Sequence, residues 1–194
     1  MNVNNISYDL PQDLIAQYPI PKRENSRLMV VDRNSQRFQH GHFYDLPNFL
    51  SPEDLLVVNN TRVFPARLYA QREGSSGKLE VFLLRRLEKN VWDALIRPAK
   101  KVQPGTRIFF GKSGVHGEIL ESPLAAVTRR IRFEYQGDFS TWVEKLGTVP
   151  LPPYIKRPPQ LEDRERYQTI FSRISGSVAA PTAGLHFSKN LLKT

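Results

Sequence analysis

The segment GSVAAPTAGLHF, residues 176–187, combines small residues with two side chains that can take part in chemistry. His186 carries an imidazole whose unperturbed pKa, about 6.5, allows proton transfer near neutral pH, and Thr182 offers a hydroxyl. Because glycine and alanine occupy much of the segment, a ligand or another strand can approach its backbone closely. A ligand pocket and tight packing of neighbouring elements both explain this composition.

A second group of polar side chains follows the short apolar run LLVV at residues 55–58. Such a run predicts a strand covered on both faces, and polar groups at the end of a buried strand are well placed to contact a ligand. Asn60 offers a donor and an acceptor, whereas Arg62 and Arg67 offer planar donors for a carboxylate or phosphate. The alternative is an asparagine-rich turn that bonds its own backbone.

His40 and His42 lie two residues apart on one face of a predicted strand, a spacing that suits a metal ion. We interpret them instead as side chains of a solvated strand and predict no metal site. The chain contains no cysteine, which excludes disulfides, thiolate catalysis and cysteine-ligated zinc or iron–sulfur sites.

Basic side chains are unevenly distributed along the chain. The 194 residues hold 28 Lys and Arg against 19 Asp and Glu, a net charge of +9, and all of this excess falls after residue 69. A basic surface of this kind attracts polyanions in a salt-dependent way, with ordinary solvated charge as the alternative. The groups assigned to a nucleic-acid face are Arg97, Lys100, Lys101, Arg129 and Arg130.

Three kinds of element must position these side chains. SRLMVVD and RFQHGHFYDL, residues 26–32 and 37–46, predict the two strands of a hairpin, the first of them buried. VPLPPYIKRPP, residues 149–159, is too rich in proline for a helix or a central strand, so it should run extended over the surface. LEDRERYQTIF, residues 161–171, predicts a helix that leads into GSVAAPTAGLHF.

Between residues 70 and 148 the sequence changes to short β-branched and aromatic runs separated by glycine. Several strands at close spacing, without a helical pattern, predict a small antiparallel β-barrel. GTRIFFGKS, residues 105–113, resembles a phosphate-binding loop, but five residues rather than four separate its glycines. These five residues are typical of a strand, so we predict no nucleotide-binding loop here.

The length of the chain suits one or two compact domains. No apolar run reaches the roughly 18 residues of a membrane helix, and the first residues lack the basic and apolar regions of a secretory signal. We therefore expect a cytoplasmic protein with no membrane partner.

Six sequence motifs, taken together, resemble one known family. They are YDLPQDLIAQYPIPKRENSRLMVVD, DLLVVNNTRVFPARL, IRPAKKVQPG, VPLPPYIKR, RYQTIF and GSVAAPTAGLHF. In this order and at these separations they closely resemble the S-adenosylmethionine:tRNA ribosyltransferase-isomerase family of queuosine biosynthesis, over the whole chain. The resemblance implies a mixed α/β domain, residues 1–69 and 149–194, interrupted by an antiparallel β-barrel domain of residues 70–148.

The resemblance also implies a reaction. Family members transfer and isomerise the ribosyl moiety of S-adenosylmethionine onto 7-aminomethyl-7-deazaguanine at the tRNA wobble position, which gives epoxyqueuosine and releases adenine and methionine. S-adenosylmethionine is then a co-substrate, and no true cofactor is implied. His186 is the candidate for proton transfer, with a packed or merely binding histidine as the alternative. The candidates for donor or tRNA contacts are Arg27, Asn60, Arg62, Arg67 and Thr182.

Family members continue well beyond the GLHF motif, so the chain resembles the N-terminal part of the enzyme. We expect an α/β domain that is incomplete at its C-terminus, with an unpaired strand edge and uncovered apolar surface. Three functions stay open: an active transferase, expected to be a monomer; an inactive truncated chain that at most binds tRNA; and one half of an enzyme whose second polypeptide supplies the missing part.

Overall fold

The computed structural model describes residues 7–121 and 127–194, without the side chain of Lys101. The strands in these ranges are β1 (Arg27–Asp32), β2 (Arg37–His42), β3 (Thr61–Val63), β4 (Arg67–Arg72), β5 (Lys78–Arg86), β6 (Val91–Arg97), β7 (Arg107–Phe109), β8 (His116–Leu120), β9 (Arg129–Glu134) and β10 (Ile174–Ser177). The α-helices are α1 (Phe139–Leu146) and α2 (Asp163–Arg166), and short turns of 3-10 helix occur between the elements. None of the helices in these ranges has the length and apolar character needed to cross a bilayer.

Six strands close into an antiparallel barrel in the order β4, β5, β6, β9, β8 and β7. Successive side chains of a strand face opposite ways, and in β5 the inward residues Leu79, Val81 and Leu83 are buried. Because the sheet is closed, these six strands leave no continuous unpaired edge. The predicted antiparallel barrel is confirmed, and strand β7 lies within the GTRIFFGKS stretch.

Helix α1 packs on the barrel core and is absent from the sequence-based prediction. The carboxylate of Asp138 begins the helix by accepting a hydrogen bond from a backbone N–H three residues further on, at 2.8 Å. Phe139, Trp142 and Val143 form one buried face at helical spacing. The helix has only eight residues between strand-rich segments, so its periodicity is too short to stand out in the sequence.

The elements outside the barrel form two small sheets. β1 and β2 pair as an antiparallel hairpin, which confirms the predicted hairpin, but the first strand is not buried, because Met29 and Val31 are exposed. The second small sheet consists of β3 and β10, which pair in parallel.

The buried side-chain amide of Gln168 accepts the N–H of Val63 at 3.0 Å and donates to its C=O at 2.7 Å. This side chain therefore satisfies backbone groups of β3 that a further strand would otherwise pair with. The fold is thus a mixed α/β arrangement interrupted by a β-barrel, whereas the exact domain boundaries stay a prediction.

Two predicted elements differ in the structure. Residues 55–58, predicted as a strand covered on both faces, belong to no strand, and Leu55 and Val57 are 86% and 82% exposed. That prediction was wrong because no strand of the described residues pairs with this run, although the expected uncovered apolar surface is found here. The helix predicted over residues 161–171 is reduced to the four residues of α2, because the chain turns where Gln168 reaches β3.

The proline strap, residues 149–159, runs without helix or strand, as predicted. Arg157 fixes it by two hydrogen bonds of 2.7 Å to the carboxylate of Asp163, and the two side chains are only 8% and 3% exposed. Arg157 also donates to the C=O of Gln17 at 2.8 Å, and its guanidinium lies 4.6 Å from the centroid of the Tyr18 ring. The hydrogen bonds from Arg157 hold the pKa of the Asp163 carboxyl below its usual value. The strap is therefore tied to both α2 and the N-terminal segment.

Gly147 lies where the barrel, α1 and α2 meet. Its N–H donates to the C=O of Val143 at 2.7 Å, and Arg164 of α2 donates to its C=O at 2.7 Å. A methyl group at this position would lie 2.0 Å from the carbonyl oxygen of Pro65. Because this oxygen belongs to the backbone, the clash can be relieved only if the backbone before β4 moves.

We expect Gly147→Ala to lower the free energy of unfolding by about 1–3 kcal/mol through overpacking, as measured by urea denaturation. Gly41→Ala is the matched control, because its methyl group meets the carboxylate of Asp45 at 2.9 Å, and this side chain can rotate at the cost of one hydrogen bond from the N–H of His42. The control should lose less stability, and equal losses in the two variants would contradict this account.

Asp163→Ala leaves the guanidinium of Arg157 buried without its carboxylate. Because removal of one partner leaves the other charge buried and unpaired, we expect the free energy of unfolding to fall by about 3 kcal/mol, as measured by urea denaturation. Glu162→Ala removes the neighbouring exposed carboxylate, which caps no helix, and should change stability little. A loss at Asp163 no larger than at Glu162 would show that the pair does not hold the strap.

Candidate functional site

A cavity of about 470 Å³, named here the His186 cavity, lies between the N-terminal segment and the end of GSVAAPTAGLHF. Residues that line it include Tyr18, Arg23, Ser26, Arg27, Arg166, Tyr167, Leu185 and His186. Arg27 and His186, both predicted as site residues, are therefore brought together from opposite ends of the chain. Arg23 and Ser26 also line the cavity, and the sequence analysis did not single them out.

A hydrogen bond with Ser26 orients the His186 ring. Its Nδ1 lies 3.0 Å from the Oγ of Ser26, and this Oγ also lies 2.9 Å from the C=O of Arg23. When the hydroxyl hydrogen points to that carbonyl, the oxygen accepts from Nδ1–H. In that tautomer Nε2 keeps its lone pair and is able to accept a proton.

Burial, followed by the positive charge of Arg23, lowers the pKa of His186 below its usual value. The aromatic ring of Phe43, 5.3 Å from the imidazole between ring centroids, supplies part of the apolar surroundings. Arg23 is itself fixed, since it donates to the C=O of Leu185 at 2.9 Å. The imidazole is thus neutral at pH 7, which is the protonation state required of a proton acceptor.

A second cavity, of about 370 Å³ and named here the Arg67 cavity, lies between the outer face of the barrel and the proline strap. Its lining consists of Arg67, Glu80, Phe82, Leu95, Arg97, residues 150–153, Tyr167, residues 178–180 and Thr182. The structure thus brings together Arg67 and Thr182, both predicted to bind substrate. Arg97, predicted for the nucleic-acid face, joins them.

Tyr167 lines both cavities. Burial, followed by the negative charge of Asp163, raises the pKa of its phenol, so the hydroxyl keeps its proton at neutral pH and can donate a hydrogen bond. The sequence analysis did not predict Tyr167 as a site residue. The only signal was its place in the RYQTIF motif, because its position between two cavities depends on tertiary structure.

Asn60 and Arg62 lie apart from both cavities. The C=O of Asn60 accepts two backbone N–H groups at the start of β10, at 2.8 and 3.1 Å, and Arg62 lines a separate cavity of about 140 Å³. The side chain of Asn59 accepts the N–H of Thr61 at 2.8 Å, which is the turn geometry given above as the alternative. The substrate-binding roles of Asn60 and Arg62 stay predictions.

The basic residues predicted for a nucleic-acid face fall into two groups. Arg97 ends β6 and lines the Arg67 cavity, and Lys100 lies in the turn that follows this strand. The side chain of Lys101 lies outside the described residues. Arg129 and Arg130 begin β9 on the side of the barrel. Arg130 forms an ion pair of 3.9 Å with a carboxylate of β6.

His40 and His42 lie exposed on the hairpin, and the ring of His42 stacks on Tyr44 with 5.0 Å between centroids. Within residues 7–121 and 127–194, no three histidine or carboxylate side chains converge as metal ligands would.

The lowered pKa of His186 predicts how the free energy of unfolding depends on pH. Because it lies below the usual value of about 6.5, the unfolded chain binds the proton first, so the free energy of unfolding should fall as the pH drops from about 6.5 towards the folded-state pKa. His186→Gln should flatten this dependence in urea denaturation series, whereas His40→Gln, at an exposed site, should retain it. An unchanged pH dependence in His186→Gln would contradict the burial of a neutral imidazole.

Comparison with known proteins agrees with the motifs. The sequence matches the family described as "Queuosine biosynthesis protein" over residues 3–194. Proteins named S-adenosylmethionine:tRNA ribosyltransferase-isomerase from Acetivibrio thermocellus and Symbiobacterium thermophilum are 47% and 50% identical over 193 and 192 residues, covering 100% and 99% of this chain. These matches cover 56% and 55% of the relatives, so the chain spans about half of their length.

A solved structure is also similar in sequence. The S-adenosylmethionine tRNA ribosyltransferase of Thermotoga maritima is 32% identical, over 96% of this chain and 51% of that chain, with a TM-score of 0.37. The match over residues 3–194 includes the segments that form both cavities. The chain therefore belongs to the queuosine biosynthesis protein family.

Proposed function

We propose that the chain acts as an S-adenosylmethionine:tRNA ribosyltransferase-isomerase. It would transfer and isomerise the ribosyl moiety of S-adenosylmethionine onto 7-aminomethyl-7-deazaguanine at the tRNA wobble position, giving epoxyqueuosine, adenine and methionine. The observation that carries the proposal is the convergence of distant motifs around Tyr167. His186 and Arg27 line one cavity, Arg67 and Thr182 line the other, and Tyr167 lines both.

In this proposal His186 is the general base. The sulfonium of the donor makes the adjacent ribose carbon acidic, and removal of its proton allows adenine to leave before the amine of the tRNA base captures the opened sugar. A neutral imidazole with a free Nε2 suits the first of these steps, and such proton transfer contributes about 10²–10⁴-fold to a rate. Arg27, in the same cavity, is proposed to contact the donor or the tRNA.

The same proposal assigns the basic excess to tRNA. A net charge of +9 favours association with a polyanion. The proposed tRNA contacts are Arg97, Lys100, Lys101, Arg129 and Arg130. Asn60 and Arg62 are proposed as further substrate contacts outside the two cavities. We further propose a cytoplasmic monomer in which residues 1–69 and 149–194 form one domain and residues 70–148 the other.

The test is a reaction of the chain with S-adenosylmethionine and tRNA that carries the deazaguanine precursor. Released adenine and modified nucleoside are measured by mass spectrometry. The unaltered chain should form both products in equal amounts, and His186→Ala should lower the rate by about 10²-fold or more. His40→Ala, which removes an exposed histidine of the hairpin, is the matched control and should leave the rate unchanged.

The outcomes separate the three functions. Absence of both products, with tRNA still bound at low salt, would contradict catalysis by this chain and support a protein that only binds tRNA. Products that form only after the C-terminal half of a relative is added would show that two polypeptides share the activity. Equal rates for His186→Ala and the unaltered chain would remove His186 from the mechanism.

A further inference from the structure

The outer face of the barrel forms the floor of the Arg67 cavity. Strand pairing places Arg67 opposite Phe82, and Phe82 opposite Leu95. In the next outward row, Glu80 lies opposite Arg97. All five side chains line the cavity, because alternate residues of neighbouring strands share a face. The floor therefore presents two cations, one carboxylate and an aromatic ring in a fixed arrangement.

The guanidinium of Arg67 has a buried N–H donor without a hydrogen-bond acceptor. Its Nε is buried and lies 3.6 Å from Glu80 Oε1, longer than a hydrogen bond, and its Cζ lies 6.0 Å from the centroid of the Phe82 ring. Within the described part of the chain, this Nε makes no hydrogen bond to the protein, and the side chain is 23% exposed. Because a buried N–H is costly without an acceptor, the cavity is suited to a ligand that brings a carboxylate or similar oxygen acceptor.

We propose that the Arg67 cavity binds the amino-acid end of S-adenosylmethionine, an inference that rests on the proposed function. The donor's α-carboxylate would bind Arg67 and Arg97, and its α-ammonium would bind Glu80. Phe82 and Tyr167 also line the cavity, and aromatic rings attract cations such as a sulfonium. The paired charges of the cavity thus match a zwitterion that has one carboxylate and one ammonium on the same carbon.

The presence of Glu80 decides between this ligand and a phosphate of the tRNA backbone. A phosphate needs cations and neutral donors, and a carboxylate on the floor of the cavity would repel it. The carboxylate instead complements an ammonium. Arg67 with Glu80 therefore favours an amino acid, while Arg97 supplies the second cation for its carboxylate.

The experiment compares two ligands that share the adenosine and differ at the amino-acid end. S-adenosylmethionine carries that end, and 5′-methylthioadenosine lacks it. Dissociation constants are measured by isothermal titration calorimetry for the unaltered chain and for the variants Arg67→Gln and Glu80→Gln. Arg107→Gln is the matched control, because Arg107 also forms an exposed barrel ion pair, with Glu134 at 3.3 Å, but does not line the cavity.

We expect Arg67→Gln and Glu80→Gln each to weaken S-adenosylmethionine binding about ten- to a hundredfold, the usual effect of losing a hydrogen bond to a charged group. Binding of 5′-methylthioadenosine should stay unchanged, and Arg107→Gln should leave both constants unchanged. Unchanged binding of the second ligand also shows that the variants are folded.

Other results overturn the inference in distinguishable ways. Equal weakening of both ligands in Arg67→Gln would assign the cavity to the nucleoside or to structure. Tighter binding of S-adenosylmethionine in Glu80→Gln, together with competition by inorganic phosphate, would assign it to an anion such as the tRNA backbone. If the unaltered chain binds S-adenosylmethionine and no variant alters that binding, the assignment of the Arg67 cavity fails while the proposed function stands. If the unaltered chain binds neither ligand, the proposed donor fails and the inference fails with it.

Discussion

The buried ion pair between Arg157 and Asp163 joins three segments that supply walls of the two cavities. Two charges taken out of water are stable only when they are well paired and fully hydrogen-bonded. Here two bonds of 2.7 Å join the side chains, the N–H of Gln160 donates to the same carboxylate at 2.7 Å, and the C=O of Gln17 accepts from the guanidinium. The pair therefore fastens the proline strap, α2 and the N-terminal segment at one point. The barrel sheet supplies the floor of the Arg67 cavity, whereas side-chain contacts such as this pair hold the strap and the N-terminal segment in place.

Other arginines join distant segments in the same way. Arg23 donates to the carbonyl groups of Leu185 and Glu165. Arg166 donates to the carbonyl groups of residues 20 and 21 in the N-terminal segment. Arg164 donates to two carbonyl groups at the end of α1. A planar guanidinium with five donors is suited to bridging two carbonyl oxygens. Part of the positive charge is thus engaged within the molecule. Net charge taken from the sequence consequently overstates the surface that is free to meet a polyanion.

The barrel could be predicted from sequence because period-two runs report directly on strands, whereas α1 could not, because two helical turns leave little periodicity. The apolar run at residues 55–58 indicated burial, but hydrophobicity does not say which element provides the cover. Residue chemistry suggested His186, Arg67 and Thr182 as candidates, and the structure places all three on cavity walls, while their roles stay predictions. The contributions of Ser26 and Tyr167 depend on neighbours far away in the chain, so no local pattern could assign them.

The place of Tyr167 on the wall of both cavities has a consequence for any two ligands that occupy them. If a ligand in one cavity changes the position of this residue, it changes the free energy of binding in the other cavity, and thermodynamic linkage makes such coupling reciprocal. If the first ligand tightens the second by some factor, the second tightens the first by the same factor. Cooperativity of this kind would need no movement of the barrel, because one residue would be shared by both binding equilibria.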